Sequence, residues 1–114
     1  MQHDDETRLR HILDAARKAH DFACSRKRED LEEDEMLALS LVRLLEIIGE
    51  AAGDISEEYR AKHPDVPWKK VAGLRDVVVH DYFHVDLKKV WRIVTEDLPT
   101  LVTILEPIIP PEEK

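Results

Sequence analysis

This sequence predicts an all-α fold, an up-and-down helical bundle, and two observations lead to that prediction. Apolar residues recur at steps of three and four along four long segments, which is the period of an amphipathic helix. The 114 residues include only 3 Gly, and no Asn-Gly or Asp-Gly pair separates alternating apolar runs, so the usual β-hairpin signals are missing. We therefore expect one domain over residues 1–114, with four main helices, one short helix and a disordered tail at about 110–114.

The first predicted helix runs roughly from residue 6 to residue 24. Asp4, Asp5 and Thr7 precede it as helix-capping residues. Steps of three and four residues along it link Leu9, Ile12, Leu13, Ala16, His20 and Ala23. The charged run SRKREDLEEDE follows, and we interpret it as a solvated turn and the start of the next helix.

The second long helix, from Met36 to Ile55, is apolar or small at almost every position outside one polar stripe. That stripe consists of Ser40, Arg43, Glu46 and Glu50. A helix that is apolar on more than one side has to be covered on more than one side. A second copy of the chain would supply the extra cover, which predicts a homodimer. A central position within its own bundle is the alternative explanation.

The remaining boundaries are set by Gly, Pro and capping residues. Gly53 is a plausible stop for the second helix, and a short helix begins at residues 56–59. A proline-bounded loop at residues 63–67 then leads to a fourth helix, which opens at Pro67-Trp68.

The last part of the chain contains two expected irregularities. We expect the fourth helix to weaken at the β-branched run Val77-Val78-Val79. The final helix starts after Asp86, and Pro99 should bend it.

Composition limits the possible functions. Cys24 is the only cysteine, so one chain forms neither an internal disulfide nor a Cys-rich zinc site, and a reducing cytosol fits. The acidic N-terminus does not resemble a signal peptide, and no apolar run approaches ~18 residues. We therefore expect a cytoplasmic protein that is not exported and does not associate with a membrane.

The net charge of −8 argues against non-specific binding of nucleic acid by the whole surface. The charge is unevenly spread, because the segment from Trp68 to Arg92 carries six basic and three acidic residues, and the rest of the chain then carries −11. The basic residues are Lys69, Lys70, Arg75, Lys88, Lys89 and Arg92, and the acidic ones are Asp76, Asp81 and Asp86. This basic segment is either a local phosphate site or simply the solvated faces of two helices.

Polar chemistry is concentrated in the twelve residues from Gly73 to His84, GLRDVVVHDYFH. Arg75 offers a permanently charged planar donor that suits a phosphate, and His80 can give and take protons near neutral pH. Together they could act on a phosphodiester. On an unbroken helix, however, side chains five residues apart point roughly 140° away from each other. Either the helix loosens across the valine run or a second chain completes the site.

The same residues carry a resemblance to a known family. Arg, four to six residues and then His is the signature of the HEPN ribonucleases, and four residues separate Arg75 from His80. The continuation His80-Asp81-Tyr82 resembles the HepT-type branch, whose motif is Arg, four residues, His, one residue and Tyr. The run IIGEAA at residues 47–52, the Pro67-Trp68 opening and the helix order are also similar to HepT over nearly the whole chain.

This resemblance implies a toxin ribonuclease that cleaves RNA without a metal or other cofactor, as a homodimer with both motif copies near the interface. In such a site His80 acts as general base or acid, Arg75 stabilises the charged phosphorane, and Asp76 orients one of them. Asp76 stands where the family often has Asn. The usual partner is a minimal nucleotidyltransferase (MNT) antitoxin of a type VII system, which transfers AMP to the residue that matches Tyr82.

Each of these residues also has a plain structural interpretation. Arg75 would then pair on the surface with Asp76 or Glu50, His80 would be a solvated or core residue, and Tyr82 would lie at the edge of the core. Phe83 is assigned to packing in either case.

Metal binding is not expected, and two other functions remain open. His80 and His84 are four residues apart and could share a metal, but no third ligand has suitable spacing. No Glu-x-x-His sequence occurs, which argues against a di-iron bundle. A bundle that binds another helix in an apolar groove and a non-catalytic HEPN subunit that binds a nucleotide or a partner are the other two.

Overall fold

A computed structural model describes residues 3–79 and 86–110, and its regular secondary structure in those ranges consists of helices, with no β-strand. The elements in chain order are α1 His3–Ala23, α2 Asp30–Glu33, α3 Glu35–Gly53, α4 Glu57–Lys62, α5 Trp68–Ala72, α6 Leu74–Val79, α7 Leu87–Arg92, a π-helical segment Ile93–Asp97, α8 Leu98–Leu105 and a 3₁₀ turn Glu106–Ile108. The predicted all-α helical bundle is confirmed.

Helix α3 lies at the centre of the bundle. It packs against α1, α5 and α6, and also meets α2 and α7, with Leu41, Leu45 and Ile48 fully buried. Its N-terminal half nevertheless leaves Met36 80% and Leu39 60% exposed. Central burial therefore covers most of α3, as one of the two explanations predicted, while two large apolar side chains remain uncovered in the single chain.

Side-chain caps fix several helix starts. The Asp34 carboxylate accepts a hydrogen bond from the Leu37 amide, and Ser56 and Asp86 cap α4 and α7 in the same way. Each cap satisfies one of the amides that the first turn of a helix leaves without an intrahelical partner. The expected stop is also observed, since Gly53 is the last residue of α3.

Asp5 does not have the capping role predicted for it. Helix α1 already includes His3, so Asp5 lies within the helix, where it is 1% exposed and is the one buried charged residue of the described chain. Its two carboxylate oxygens accept hydrogen bonds from the Ser56 amide at 2.9 Å and the Ser56 hydroxyl at 2.6 Å. Burial raises the pKa of Asp5, but these bonds and nearby Arg8 outweigh burial and hold that pKa below its usual value.

Tyr59 packs beside this pair, with its ring 4.4 Å from that of His63 and 6.1 Å from that of Trp68. Its hydroxyl is buried and has no hydrogen-bond partner among the described residues. Burial, together with the negative charges of Asp5 and Glu6, raises the pKa of Tyr59.

The fourth helix is interrupted at Gly73, ahead of the valine run at which we expected it to weaken. Helix α5 ends at Ala72, and α6 continues as a regular α-helix through Val79. The Gly73 amide still donates to the Lys69 carbonyl at 3.0 Å, which keeps the two short helices closely joined. Gly lowers helix stability more than a β-branched residue does, which accounts for the position of the break.

The irregularity expected from Pro99 takes the form of the π-helical segment Ile93–Asp97 just ahead of it. Proline has no amide hydrogen and its ring crowds the carbonyl four residues earlier, here that of Thr95. The wider π turn accommodates that conflict while Val94 and Leu98 stay buried.

At the C-terminal end, the Pro110 carbonyl accepts a hydrogen bond from the Arg10 guanidinium at 2.6 Å. The rest of the predicted disordered tail, residues 111–114, lies outside the described residues. Within the described residues, no helix combines the length and apolar character needed to span a bilayer.

Candidate active site

Helix α6 carries the described part of the predicted site. Leu74 is 7% exposed and anchors the first turn of α6 in the core, whereas Arg75 and Asp76 face solvent. The Asp76 amide donates to the Gly73 carbonyl at 3.1 Å, so the turn that presents both side chains is tied to the end of α5. The first turn of α6 thus places one guanidinium and one carboxylate side by side on the surface.

These two side chains touch only weakly. Arg75 Nε lies 3.9 Å from Asp76 Oδ1, and the side chains are 55% and 63% exposed. A solvated ion pair at this distance contributes little to stability. The predicted pairing of Arg75 with Asp76 is therefore present but leaves the guanidinium available to a phosphate. Glu50, the other suggested partner, lies 3.8 Å from Arg43.

The backbone of Arg75 is packed closely against α3. A Cβ atom added to Gly49 would lie 2.5 Å from the Arg75 amide nitrogen, 2.9 Å from Arg75 Cβ and 3.1 Å from its Cα. Two helices approach this closely only where one of them has no side chain. In the sequence, Gly49 stands out only as part of the IIGEAA run that resembles HepT. A contact between residues 26 positions apart produces no periodic pattern in a single sequence.

The basic residues of the predicted basic segment lie on three helices, α5, α6 and α7. Lys69 and Lys70 of α5, and Lys88, Lys89 and Arg92 of α7, are all exposed. Both helices pack on α3, as α6 does. Exposed lysines and arginines suit contact with a polyanion and are also what ordinary helix surfaces show.

The other predicted site residues, His80 and Tyr82, lie outside the described residues, as do Asp81, Phe83 and His84. Of the predicted site, the structure therefore brings together Arg75 and Asp76. Helix α6 is unbroken from Leu74 to Val79, so no loosening occurs within its described length. The convergence of Arg75 and His80, either within one chain or between two chains, stays a prediction.

Metal ligation was considered for His80 and His84, both of which fall in the undescribed stretch. Elsewhere, in residues 3–79 and 86–110, no three His, Cys, Asp or Glu side chains are grouped so that they could hold a metal ion.

The sequence of this chain is similar to those of several known proteins. Residues 12–108 match the family described as ribonuclease HepT-like. "Putative RNase TTE0752" of Caldanaerobacter subterraneus is 40% identical over 85 residues, which are 75% of this chain and 76% of the relative. "Putative RNase MJ1380" of Methanocaldococcus jannaschii is 38% identical over 90 residues, 79% of this chain and 83% of the relative.

A third relative, "Probable ribonuclease HepT" of Thermococcus cleftensis, is 35% identical over 101 residues, 89% of this chain and 92% of the relative. No solved structure gives a significant match.

The helical bundle and the extent of these matches, from α1 to the 3₁₀ turn, define a protein of the all-α HEPN class. Within that class, the chain belongs to the HepT-like ribonuclease family.

Proposed function

We propose that this chain is a cytoplasmic, metal-independent endoribonuclease and the toxin of a type VII toxin–antitoxin pair, whose antitoxin is an MNT-type nucleotidyltransferase. Membership of the HepT-like ribonuclease family supports the nuclease activity. The observation that carries the proposal is the exposed Arg75 guanidinium, held on a backbone packed tightly against α3.

The proposed reaction uses the ribose itself as the nucleophile. His80 removes the proton from the 2′-hydroxyl, the 2′-oxygen attacks phosphorus, and the bond from phosphorus to the 5′-oxygen breaks. The protonated His80 returns that proton to the departing 5′-oxygen, and the other fragment ends in a 2′,3′-cyclic phosphate. Arg75 stabilises the extra negative charge of the phosphorane, and Asp76 orients Arg75 or His80.

The active form in this proposal is a homodimer. Met36 and Leu39, exposed on α3, give a second copy an apolar surface to cover. The regular helix through Val79 is a further argument, because a helix that continued to His80 would turn His80 away from Arg75. Light scattering should then give about twice the chain mass of 13.2 kDa. A strict monomer at micromolar concentration would make a shared site untenable.

Cleavage is tested with purified protein, single-stranded RNA and EDTA. The parent chain should cut the RNA and leave a 2′,3′-cyclic phosphate, and His80→Ala should abolish the reaction because the proton acceptor is gone. His20→Ala is the matched control, since His20 is exposed at the far end of α1. Full activity of a folded His80→Ala protein would show that another residue accepts the proton.

Tyr82 provides the proposed means of neutralisation. An AMP group on its phenol adds bulk and negative charge where the RNA phosphate must sit. After co-expression with the partner nucleotidyltransferase, mass spectrometry should find adenylyl groups on the peptide that contains Tyr82, together with loss of RNA cleavage. If the partner silences Tyr82→Phe as completely as it silences the parent chain, neutralisation occurs by occlusion of the site instead.

A non-catalytic HEPN subunit is the second candidate, and two observations favour it. The net charge is −8, and the Asp76 carboxylate lies beside Arg75, where it repels a phosphate. Such a subunit would bind the nucleotidyltransferase partner or a nucleotide without cleaving RNA. Stable binding of the partner by a dimer that shows no cleavage of any RNA would select this candidate.

A further inference from the structure

We infer that Gly49 is a positioning residue of the RNA-cleaving site. The absence of a side chain at Gly49 lets the backbone of Arg75 pack directly against α3. The inference rests on the proposed function. It adds a residue on a different helix, 26 positions before Arg75, whose effect on RNA passes through that arginine.

The contact between these residues leaves no room for a methyl group. An added Cβ on Gly49 would approach the Arg75 amide nitrogen to 2.5 Å and two further Arg75 atoms to 3.1 Å or less. All three atoms belong to the backbone or to the root of the side chain, so no rotamer change relieves the overlap. One of the two helices would have to move.

The surrounding packing makes α6 the helix that moves. Ile48 and Ala52, on either side of Gly49 in the sequence of α3, are both fully buried. This part of α3 is therefore held within the core. Helix α6 has six residues, and Leu74 at 7% exposure is its anchor nearest to Arg75. A short helix tied to α5 through Gly73 yields more readily than the central helix of the bundle.

Displacement of α6 would carry the Arg75 guanidinium away from its position. Among the described residues, the printed side-chain contact of Arg75 is the one with Asp76 at 3.9 Å, so its place is set mainly by the backbone. Relief of the overlap requires a shift on the order of 1 Å, and a misplacement of that size can cost about 100-fold in rate. Stabilisation of a developing charge is especially sensitive to such a change.

The other two glycines of the chain provide matched controls. A Cβ on Gly53, one turn further along α3, would have nothing within 4 Å. A Cβ on Gly73 would meet the Lys69 and Lys70 carbonyls at 3.3 and 3.4 Å, a tight contact that does not involve α3. Gly49→Ala and Gly53→Ala therefore add the same methyl group to the same helix, and only one of them presses on Arg75.

The first measurement is RNA cleavage by the intact dimer. Gly49→Ala should lower kcat by about 10- to 100-fold while the circular dichroism spectrum and the dimer are retained, and Gly53→Ala should match the parent. If the parent cleaves RNA and Gly49→Ala cleaves it equally well, the positioning role is wrong. If the parent itself is inactive, the proposed function has failed, and the next two measurements still test the contact.

The second measurement asks whether Gly49 acts through Arg75. Binding of a 2′-O-methyl oligoribonucleotide, which lacks the attacking hydroxyl, is compared in the parent and Arg75→Ala backgrounds. Gly49→Ala should weaken binding only where Arg75 is present, since in its absence there is no guanidinium to misplace. Equal weakening in both backgrounds would assign Gly49 a purely structural role and overturn the inference.

The third measurement uses the parent protein and needs no variant. An NOE between an Hα of Gly49 and the Arg75 amide hydrogen should be present in solution, and its absence would remove the contact on which the inference rests.

If Gly49→Ala fails to fold while Gly53→Ala folds, the contact serves the core and the positioning role is again overturned.

Discussion

Two arginines in different regions of this molecule show opposite arrangements. Arg26, in the connection between α1 and α3, reaches Asp34 at 2.9 Å and Asp30 at 3.3 Å. Both carboxylates also accept backbone hydrogen bonds, Asp30 from the Lys27 amide at 2.7 Å and Asp34 from the Leu37 amide at 3.1 Å. Within the described residues, Arg75 on α6 has one carboxylate neighbour, at 3.9 Å.

The difference separates an arginine that builds structure from one that is available to a ligand. The Arg26 guanidinium is committed to two acceptors that fix a turn and a helix start, so binding RNA would require breaking that network. The Arg75 guanidinium is poorly paired, while its backbone is tightly packed at Gly49. A tightly packed backbone with a weakly paired guanidinium is the arrangement expected of a group that binds a phosphate.

The largest expected effect is a reciprocal pair of substitutions. Arg75→Ala should lower RNA cleavage by about 10²–10³-fold, the usual cost of one donor to a developing negative charge. Its thermal midpoint should not change, because the side chain is solvated. Arg26→Ala should show the reverse, with a lower thermal midpoint and unchanged cleavage.

The two readouts are gel-based cleavage and thermal denaturation on the same preparations. Arg17→Ala serves as a further control, because the Arg17 side chain is 50% exposed against 55% for Arg75 and pairs with Glu106. Unchanged cleavage in a folded Arg75→Ala protein would contradict the comparison.

A smaller effect is expected at Asp76. Asp76→Asn should tighten RNA binding about fivefold, because the roughly 1 kcal/mol of surface repulsion from the carboxylate disappears while the amide still forms hydrogen bonds. Asp76→Ala should tighten binding similarly but lose part of the cleavage rate, since the orienting group is gone. Fluorescence anisotropy and cleavage rates separate these outcomes. Weaker binding by Asp76→Asn would show that the charge itself is needed.

The smallest effect is a loss of stability in acid that arises in the Arg26 region. The bond from Arg26 holds the pKa of Asp34 below its usual value, and the Lys27 amide does the same for Asp30. Carboxylates with lowered pKa values stabilise the fold above their unfolded pKa of about 3.9, and this stability is lost as the pH falls through the folded values. Urea midpoints should therefore decline below about pH 4.

Asp34→Asn should reduce this dependence on acid and lower the urea midpoint at neutral pH. Asp76→Asn, an exposed position outside the network, should leave the acid profile unchanged. An acid profile of Asp34→Asn identical to that of the parent would show that the Arg26 network does not stabilise the fold.

The long helices could be predicted from sequence because their signals are local. The apolar period of α1 and α3, the Ser56 and Asp86 caps and the stop at Gly53 all depend on residues within a few positions of each other. The break at Gly73 was placed too late, because the valine run was given more weight than the glycine.

Contacts between distant residues gave no such signal. The bonds from Ser56 to Asp5 cross 51 residues, and each partner alone looks like an ordinary capping residue. At the site, Arg75 was found by its motif, whereas the support from Gly49 depends on how α3 and α6 cross, which no periodicity encodes. The placement of His80 and Tyr82 relative to Arg75 stays a prediction.

The buried phenol of Tyr59 has a practical consequence for detecting chemistry at the other tyrosine. The chain contains 2 Tyr, and Tyr59 is only 4% exposed. Its raised pKa also keeps it in the less nucleophilic protonated form. A reagent or enzyme that acts on the phenols of the folded protein is thereby excluded from one of two targets. Any tyrosine label gained without unfolding therefore reports on Tyr82, and an intact-mass measurement can count it without a peptide map.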